Sequence, residues 1–134
     1  MKIKFLPSIF SFGQYERDKW VADKAQSIPK GFAVLDVGAG PCRYKHLFSH
    51  CVYKSQDFSQ YQGSSLSKLT DDSTTWHYGQ IDYISDANSI PVEDDAFDVI
   101  ICTEVLEHVP EPIKVLQEIG RILRPGGNLI LTAP

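Results

Sequence analysis

The segment that most constrains this chain is Val34–Gly40, an apolar run that ends in an acid and two closely spaced glycines. The run begins at Phe32 and stays apolar up to Asp36, which is typical of a parallel strand buried on both faces. Gly38 and Gly40 lack a Cβ, so the backbone can turn tightly there and approach a ligand closely. The pattern predicts a buried strand, a glycine turn and a following helix, with a ligand against the main chain at the carboxyl end of the strand.

Segments of helix character alternate with segments of strand character along the chain. Apolar periodicity, proline and glycine predict helices at about residues 14–28, 41–49 and 112–123. Strands are predicted at about residues 32–37, 52–57, 80–85, 97–102 and 128–133. Residues 59–75 must cross between two strands, but their sequence has no strong helix pattern. The alternation predicts an α/β fold with a parallel sheet and right-handed crossovers.

Composition and charge exclude several classes of protein. The 134 residues suffice for one domain, and 43% hydrophobic with 22% charged residues is typical of a globular protein. The net charge of −4 disfavours a nucleic-acid partner, because phosphate binding needs clustered Lys and Arg. No apolar run approaches the roughly 20 residues of a membrane span, and residues 1–12 lack a clear signal-peptide cleavage site. A cytoplasmic location is therefore expected.

The cysteines do not predict a disulfide framework or a metal site. Cys42, Cys51 and Cys102 form no CxxC pair, and their number is odd. A zinc site could be assembled from Cys42, Cys51 and the histidines at positions 46 and 50. In an intact helix, however, Cys42 and His50 would lie about 12 Å apart along the axis, whereas zinc ligands lie at roughly 2.0–2.3 Å from the ion. No metal is therefore expected.

Three strand ends on one side of the predicted sheet provide groups suited to a nucleoside. The first strand leads into the glycine turn, and the second ends in Asp57, nineteen residues beyond Gly38. A carboxylate there can accept two hydrogen bonds from ribose hydroxyls. The third ends in Asp86, which can accept a hydrogen bond from an amine such as that of adenine. For Asp57 or Asp86 taken alone, a solvated loop carboxylate is the simpler interpretation, by about two to one. Because three neighbouring strand ends carry suitable groups, a nucleoside site is preferred for them together.

A dinucleotide is the main competing ligand, because it uses the same edge of such a sheet. Its fingerprint G-x-G-x-x-G, started at Gly38, requires a glycine at position 43, and this chain has Arg43. No glycine then permits the close approach of helix and strand over a pyrophosphate. A ligand without a pyrophosphate is favoured.

Four ordered motifs resemble those of one family. The chain is similar to the class I S-adenosylmethionine-dependent methyltransferases, and in particular to the type 11 methyltransferases, over residues 33–134. The similarity lies in the segments 34–40 (VLDVGAG), 86–99 (DANSIPVEDDAFDV), 104–109 (EVLEHV) and 118–127 (EIGRILRPGG). The resemblance implies a Rossmann-like fold, with a doubly wound, mainly parallel sheet in the order 3-2-1-4-5 and helices on both faces. Residues 1–30 would form an N-terminal arm and helix, and residues 31–134 the S-adenosylmethionine-binding domain. Cys42 stands where the family commonly has a third glycine.

The resemblance also implies a role for each matching residue and a small-molecule methyl acceptor as the substrate. Asp36, Gly38, Ala39 and Gly40 would face the methionine portion of the cofactor, Asp57 the ribose, Asp86 and Ala87 the adenine, and Thr103 and Glu104 the region near the sulfonium.

Glu104, Glu107 and His108 form a cluster with three possible roles. On a helix, Glu104 and His108 would share one face, because they are four residues apart. A structural role at the helix border is the first possibility. The second is a wall of the pocket with His108, or Glu104, as a catalytic group, because the imidazole pKa of about 6.5 suits a general base. The third is a divalent metal site, as in some quinone-modifying relatives that this E-x-x-E-H pattern resembles.

The chain stops at Pro134, just after the predicted fifth strand, whereas members of the family usually continue with two further strands. The exposed edge of that strand is expected to be covered by the missing strands of a longer protein, by a partner chain or by a second copy. Two functions therefore stay open. The chain is a methyltransferase for a small molecule, or a non-catalytic S-adenosylmethionine-binding module or inactive fragment of a longer enzyme.

Overall fold

The computed structural model describes residues 9–59 and 78–134. Within these residues the chain forms two α-helices and five strands: α1 (Ile9–Gln26), β1 (Ala33–Val37), β2 (Val52–Asp57), β3 (Tyr83–Ile84), β4 (Phe97–Thr103), α2 (Pro112–Ile122) and β5 (Leu123–Thr132). Single-turn 3-10 helices lie at Lys45–Phe48 and Leu106–His108. Most of the predicted crossover at 59–75 lies outside the described residues.

The five strands form one sheet in the order β3-β2-β1-β4-β5, and every pairing is parallel. Central β1 pairs with β2 on one side, where Val34 lies opposite Tyr53, and with β4 on the other, where Val34 lies opposite Val99. The predicted α/β class and strand order are confirmed. The strand order reverses beside β1, which is where ligands bind in sheets of this kind.

The two faces of the sheet are each covered, because successive side chains of a strand point to opposite faces. Val34 packs in the cluster that includes Val21 and Ala25 of α1, together with Phe48. Its neighbour Leu35 packs in the cluster formed with α2, whose members include Val115, Ile119 and Ile122. Residues of β1 with even numbers therefore face α1, and those with odd numbers face α2.

The helix predicted at 41–49 is wrong. Only Lys45–Phe48 is helical, as a single 3-10 turn. Cys42 has φ +55°, in the left-handed region, and a right-handed helix cannot pass through such a residue. The predicted buried positions hold in part, because Tyr44 and Phe48 are buried without the longer helix. The glycine turn therefore does not lead directly into a helix N-terminus.

The third strand is shorter than predicted, spanning Tyr83–Ile84 instead of 80–85. Asp82 Oδ2 accepts a hydrogen bond from the Ser55 main-chain N–H at 2.9 Å and another from Ser55 Oγ at 3.1 Å. The Asp82 carboxylate thus accepts the main-chain N–H of Ser55, which would bond to a backbone carbonyl of β3 if that strand were longer. Side-chain pairing replaces the strand ladder at this point.

The fifth strand is longer than predicted and begins at Leu123, where α2 ends. The predicted loop at 124–127 lies within it, with a register shift opposite Phe97–Val99. Gly126 has φ +79°, and a Cβ on Gly127 would lie 2.8 Å from the Asp98 carbonyl oxygen. Two glycines therefore accommodate a bulge that keeps the strand paired with β4.

The segment after β3 is held by two residues of α2. Glu118 Oε1 accepts the Ile90 N–H at 2.8 Å, and the Arg121 guanidinium donates to the carbonyls of Ile90 at 3.0 Å and Val92 at 2.9 Å. The hydrogen bond from Arg121, opposed by partial burial, lowers the pKa of Glu118, so the pair stays charged. This network positions the chain that follows Asp86.

Helix α1 covers one face of the sheet and is longer at its start than the predicted 14–28. Within the described part of the chain, no helix is long and apolar enough to cross a membrane. At the other end, β5 is an edge strand among the described strands. Its covering by further strands or a partner stays a prediction.

Candidate functional site

The glycine turn after β1 adopts a conformation that side chains rarely allow. Gly38 has φ +67° and Gly40 has φ +51°, both in the left-handed region. A Cβ on Gly38 would lie 2.5 Å from Cγ2 of Val105, in the loop after β4. The turn therefore needs glycine for its backbone conformation, and at Gly38 also for the close approach of the neighbouring loop.

All three N–H groups of this turn are bonded to strand β2. The Gly38 N–H donates to Gln56 Oε1 at 3.1 Å, and the Ala39 N–H donates to the Gln56 carbonyl at 2.9 Å. The Gly40 N–H donates to Asp57 Oδ2 at 2.8 Å. An anion-binding loop instead presents free N–H groups to its ligand, usually at a helix N-terminus. This turn has neither feature, so it does not form a pyrophosphate cradle.

Asp57 lies at the end of β2, beside the turn. In addition to the Gly40 N–H, it accepts the Ser59 N–H on Oδ1 at 2.8 Å. Each carboxylate oxygen can accept a further hydrogen bond, because an ionised carboxylate has about four acceptor sites. Asp57 is only partly buried, so its remaining sites can receive hydroxyl donors from a ligand.

The end of β3 places Asp86 and Ala87 differently. Asp86 is exposed, and its Oδ1 accepts the Asn88 N–H at 3.1 Å. Ala87 is buried, and its side chain belongs to the core that faces α2. Asp86 can therefore present a carboxylate to a ligand, whereas Ala87 can contribute only its main chain.

Asp36 is almost fully enclosed, with 2% of its surface exposed. Its Oδ2 accepts a hydrogen bond from the Tyr53 hydroxyl at 2.7 Å. Burial raises the pKa of Asp36 to about 7, a shift that the Tyr53 hydrogen bond opposes and the charge of Asp57 reinforces. Burial, together with the charge of Asp36, also raises the pKa of Tyr53, so the Tyr53 hydroxyl stays a hydrogen-bond donor. Sequence reasoning missed Tyr53, because a tyrosine inside a predicted strand has no distinguishing signal.

The loop after β4 brings Thr103 and Glu104 to the same edge of the sheet. Glu104 has φ +54°, and its N–H donates to the Thr132 carbonyl at 3.0 Å. Such left-handed non-glycine residues cluster at functional sites. Glu104 Oε1 also lies 3.0 Å from Nε of Arg17 in α1. The carboxylate is thus held next to the site by an ion pair that the sequence did not predict.

His108 does not lie on a helical face with Glu104, and that prediction is wrong. Glu104 precedes the single 3-10 turn Leu106–His108, and its left-handed backbone breaks any continuous helix between the two residues. The His108 side chain is 77% exposed and lies 3.7 Å from Glu107 Oε1. Of the proposed cluster, only Glu107 and His108 contact each other.

Helix α1 connects two of these loops through consecutive residues. Arg17 pairs with Glu104 after β4, as above, whereas Asp18 accepts from Nε of Arg43 at 3.0 Å and from the Tyr44 hydroxyl at 2.9 Å, after β1. The hydrogen bond from Arg43 lowers the pKa of Asp18 to about 2, against partial desolvation. These contacts place α1 beside the carboxyl ends of both β1 and β4.

Residues 35–131 match the family described as "Methyltransferase domain", which is most of the chain and spans every loop described above. The chain belongs to the type 11 methyltransferase family. The sequence motifs that resembled this family therefore led to the correct assignment.

Individual relatives of this methyltransferase chain differ in what their names say they act on. It is 28% identical over 129 residues to a demethylmenaquinone methyltransferase of Bacillus licheniformis, covering 92% of this chain and 53% of that protein. It is 30% identical over 119 residues to a tRNA (carboxymethyluridine(34)-5-O)-methyltransferase of Arabidopsis thaliana, covering 85% of this chain and 27% of that protein. The chain thus spans about half or less of the length of these curated relatives.

A solved structure supports the fold. The crystal structure of the [4+2]-cyclase SpnF has a TM-score of 0.64 and 26% sequence identity, and the match covers 87% of this chain and 44% of that one. The five-stranded sheet of this methyltransferase chain therefore corresponds to a part of a larger structure of the same architecture.

S-adenosylmethionine is the cofactor of the family, and the residues present fit it. The cofactor contains an adenosine and a methionine but no pyrophosphate, so the absence of a pyrophosphate cradle in the turn does not exclude it. Among the described residues, only the N–H groups of Gly40 and Ser59 bond to the Asp57 carboxylate, which leaves acceptor sites for the ribose hydroxyls. The two left-handed glycines of the turn carry no side chain, so a ligand can lie directly against their backbone.

The described residues contain no group of three or more His, Cys, Asp or Glu side chains that could hold a metal ion. Of the residues considered for zinc, His50 Nε2 lies 2.8 Å from the Ile28 carbonyl oxygen, and Cys51 Sγ lies 3.7 Å from the Pro29 carbonyl oxygen. The helix at 41–49, from which the separation of Cys42 and His50 was estimated, is absent. The side chains of His50 and Cys51 nevertheless contact main-chain oxygens.

The buried carboxyl of Asp36 predicts a specific pH dependence of stability. In the unfolded chain Asp36 loses its proton near pH 3.8, but in the folded chain it keeps it to about pH 7. The wild type should therefore lose stability as pH rises from about 4 to about 7, and Asp36→Asn should not. The free energy of unfolding of Asp36→Asn relative to wild type should rise across this window by up to about 4 kcal/mol, at about 1.4 kcal/mol per pKa unit.

Urea unfolding at a series of pH values measures this difference. Asp23→Asn is the matched control, because Asp23 is an exposed carboxylate on α1. A constant difference between Asp36→Asn and wild type from pH 4 to pH 8 would contradict the assignment of a raised pKa to Asp36.

Proposed function

We propose that this chain binds S-adenosylmethionine and forms the cofactor-binding part of a methyltransferase that acts on a small-molecule acceptor. One observation supports this choice of ligand above the others. The three N–H groups of the turn are all bonded to β2, while Asp57, which accepts the last of them, has acceptor sites that no other residue of the described ranges occupies. The site therefore favours a nucleoside ligand over a pyrophosphate-containing one.

Each residue has a proposed role at this edge of the sheet. Asp57 accepts the ribose hydroxyls, and the carboxylate of Asp86 with the main chain of Ala87 contacts the adenine. The turn residues Gly38, Ala39 and Gly40, with Asp36 behind them, lie against the methionine portion. Thr103 and Glu104 border the region of the sulfonium. In its ionised form, Asp36 favours the methionine ammonium group.

The bound cofactor supplies an already activated methyl group, so the chain's main tasks are alignment and the exclusion of water. If the acceptor is a hydroxyl, a base must take its proton, which contributes about 10²–10⁴-fold. His108 is the proposed base, with Glu104 as a second candidate. The proposal is compatible with the exposure of the His108 side chain, which leaves the imidazole accessible from solvent.

A small-molecule acceptor is proposed over a nucleic acid. The net charge of −4 offers no general attraction to phosphate groups. The demethylmenaquinone relative, named for a small molecule, is matched over about half of its length, whereas the tRNA relative is matched over 27%. The small-molecule class is supported by the net charge and by the name of the first of these relatives.

A second function stays open, because a protein of similar architecture is named for a different reaction, a [4+2] cyclisation. The chain would then be a cofactor-binding module without methyl transfer. In either case we propose that the free edge of β5 is covered, by further strands or by another chain, since an unpaired edge invites association.

Calorimetric titration of the full chain with S-adenosylmethionine, S-adenosylhomocysteine and NAD tests the proposal. The first two should bind saturably at one site and NAD should not. Incubation with methyl-labelled S-adenosylmethionine and separate fractions of small metabolites and tRNA then distinguishes the acceptors. Binding of NAD, or binding of neither methionine derivative by a folded chain, would contradict the proposed ligand. Binding without transfer to any fraction would favour the module.

A further inference from the structure

Gln56 is a buried polar residue to which the sequence assigned no role. It lies in β2, directly before Asp57, with 1% of its surface exposed. Both ends of its side-chain amide are bonded: Oε1 accepts the Gly38 N–H at 3.1 Å, and Nε2 donates to the Ser85 carbonyl at 2.7 Å. Its main-chain carbonyl accepts the Ala39 N–H. A buried amide is stable only when its groups are bonded in this way.

These bonds join two segments that belong to different strands. Gly38 and Ala39 belong to the turn after β1, and Ser85 follows β3 and precedes Asp86. Strand β2 lies between β1 and β3 in the sheet. The side chain of Gln56 therefore links the turn after β1 to the segment after β3, on either side of its own strand.

We propose that Gln56 is a positioning residue that holds the β1 turn and the β3 end at the separation needed by a ligand that contacts both. This rests on the proposed function, in which the turn lies against the methionine portion and the β3 end against the adenine. Gln56 itself does not contact the ligand. Its loss should weaken ligands that reach both segments more than ligands that reach one.

Two ligands and two variants separate these effects. S-adenosylhomocysteine reaches both segments, whereas adenosine lacks the methionine portion. Gln56→Met keeps the length of the side chain but loses both hydrogen bonds. Gln56→Glu keeps an acceptor for the Gly38 N–H, and in its ionised form it cannot donate to the Ser85 carbonyl. Gln117→Met is the matched control, because Gln117 is an exposed glutamine on α2.

Calorimetry should give an affinity for S-adenosylhomocysteine lowered about 10-fold or more in Gln56→Met, in line with the loss of a buried hydrogen bond. The affinity for adenosine should change less than about 3-fold, and Gln117→Met should match wild type for both ligands. Gln56→Glu should show the same selectivity. It also keeps the test decisive if Gln56→Met fails to fold.

Each other outcome overturns the role of Gln56 in a distinguishable way. An equal loss for both ligands would mean that Gln56 only stabilises the fold, and no loss for either would mean that it positions nothing. Failure of the folded wild type to bind either ligand would overturn the proposed function, and this role with it.

Discussion

Replacing Gly38 with alanine is expected to destabilise the chain by about 2–4 kcal/mol and to abolish measurable binding of S-adenosylhomocysteine. The added Cβ would lie 2.5 Å from Val105 Cγ2, and the residue has φ +67°. The Val105 side chain must therefore rotate, or the turn or the loop after β4 must move. Because the Gly38 N–H is bonded to Gln56, movement of the turn also breaks that bond. Urea unfolding and calorimetry measure the two effects.

Two other glycines separate the causes of this loss. Gly31 has φ +84° but no atom within 4 Å of a built Cβ, so Gly31→Ala reports the backbone strain alone. Gly120 lies in α2 with no atom within 4 Å and no unusual φ, so Gly120→Ala should stabilise by up to about 1 kcal/mol. If Gly38→Ala behaved like Gly31→Ala and still bound S-adenosylhomocysteine, the close approach of Val105 would not matter to the site.

Replacing Asp57 with alanine is expected to lower the affinity for S-adenosylmethionine by about 100-fold or more. Two effects add. The proposed hydrogen bonds to the ribose are lost, and the N–H groups of Gly40 and Ser59 lose their carboxylate acceptor. Asp57→Asn keeps one amide oxygen as an acceptor but places an NH₂ group opposite a donor. Its affinity for S-adenosylmethionine should therefore fall between those of wild type and Asp57→Ala. Calorimetric titration measures all three proteins.

The control is Glu93→Ala, which removes an exposed carboxylate from the segment between β3 and β4. It corrects for the change in net charge, since both substitutions remove one negative charge. Thermal unfolding of each variant shows whether the fold persists. A folded Asp57→Ala protein with wild-type affinity would place the ribose elsewhere and would contradict the assignment of Asp57.

The parts of the fold that could be predicted are those encoded by short segments. The strands β1, β2 and β4 have bounds within one residue of the prediction, because their apolar runs and the following polar turns are local signals. The end of α2 was placed one residue too late. The glycine turn has the left-handed conformations that its two glycines allow.

Other expectations failed where a distant residue decides the local structure. The helix expected at 41–49 is interrupted at Cys42, and the segment predicted as a full strand at 80–85 is held instead by the bond between Asp82 and Ser55. Glu104 was expected on a helical face, yet its carboxylate pairs with Arg17, which is far away in the sequence. No window of neighbouring residues contains this information.

The sequence by itself therefore determined the family, the parallel sheet and its strand order, and it predicts the edge of the sheet at which a ligand would bind. The parallel sheet follows from hydrophobic periodicity and the turn from the conformational freedom of glycine, both of which act over a few residues. The family and the strand order follow from the resemblance of the four ordered motifs. Only the tertiary structure decided which groups meet at that edge. Gln56 between Gly38 and Ser85, Tyr53 on Asp36 and Arg17 on Glu104 are pairs of residues distant in sequence. Because burial makes an unpaired polar group costly, their partners are set by the folded core and not by their neighbours in the chain.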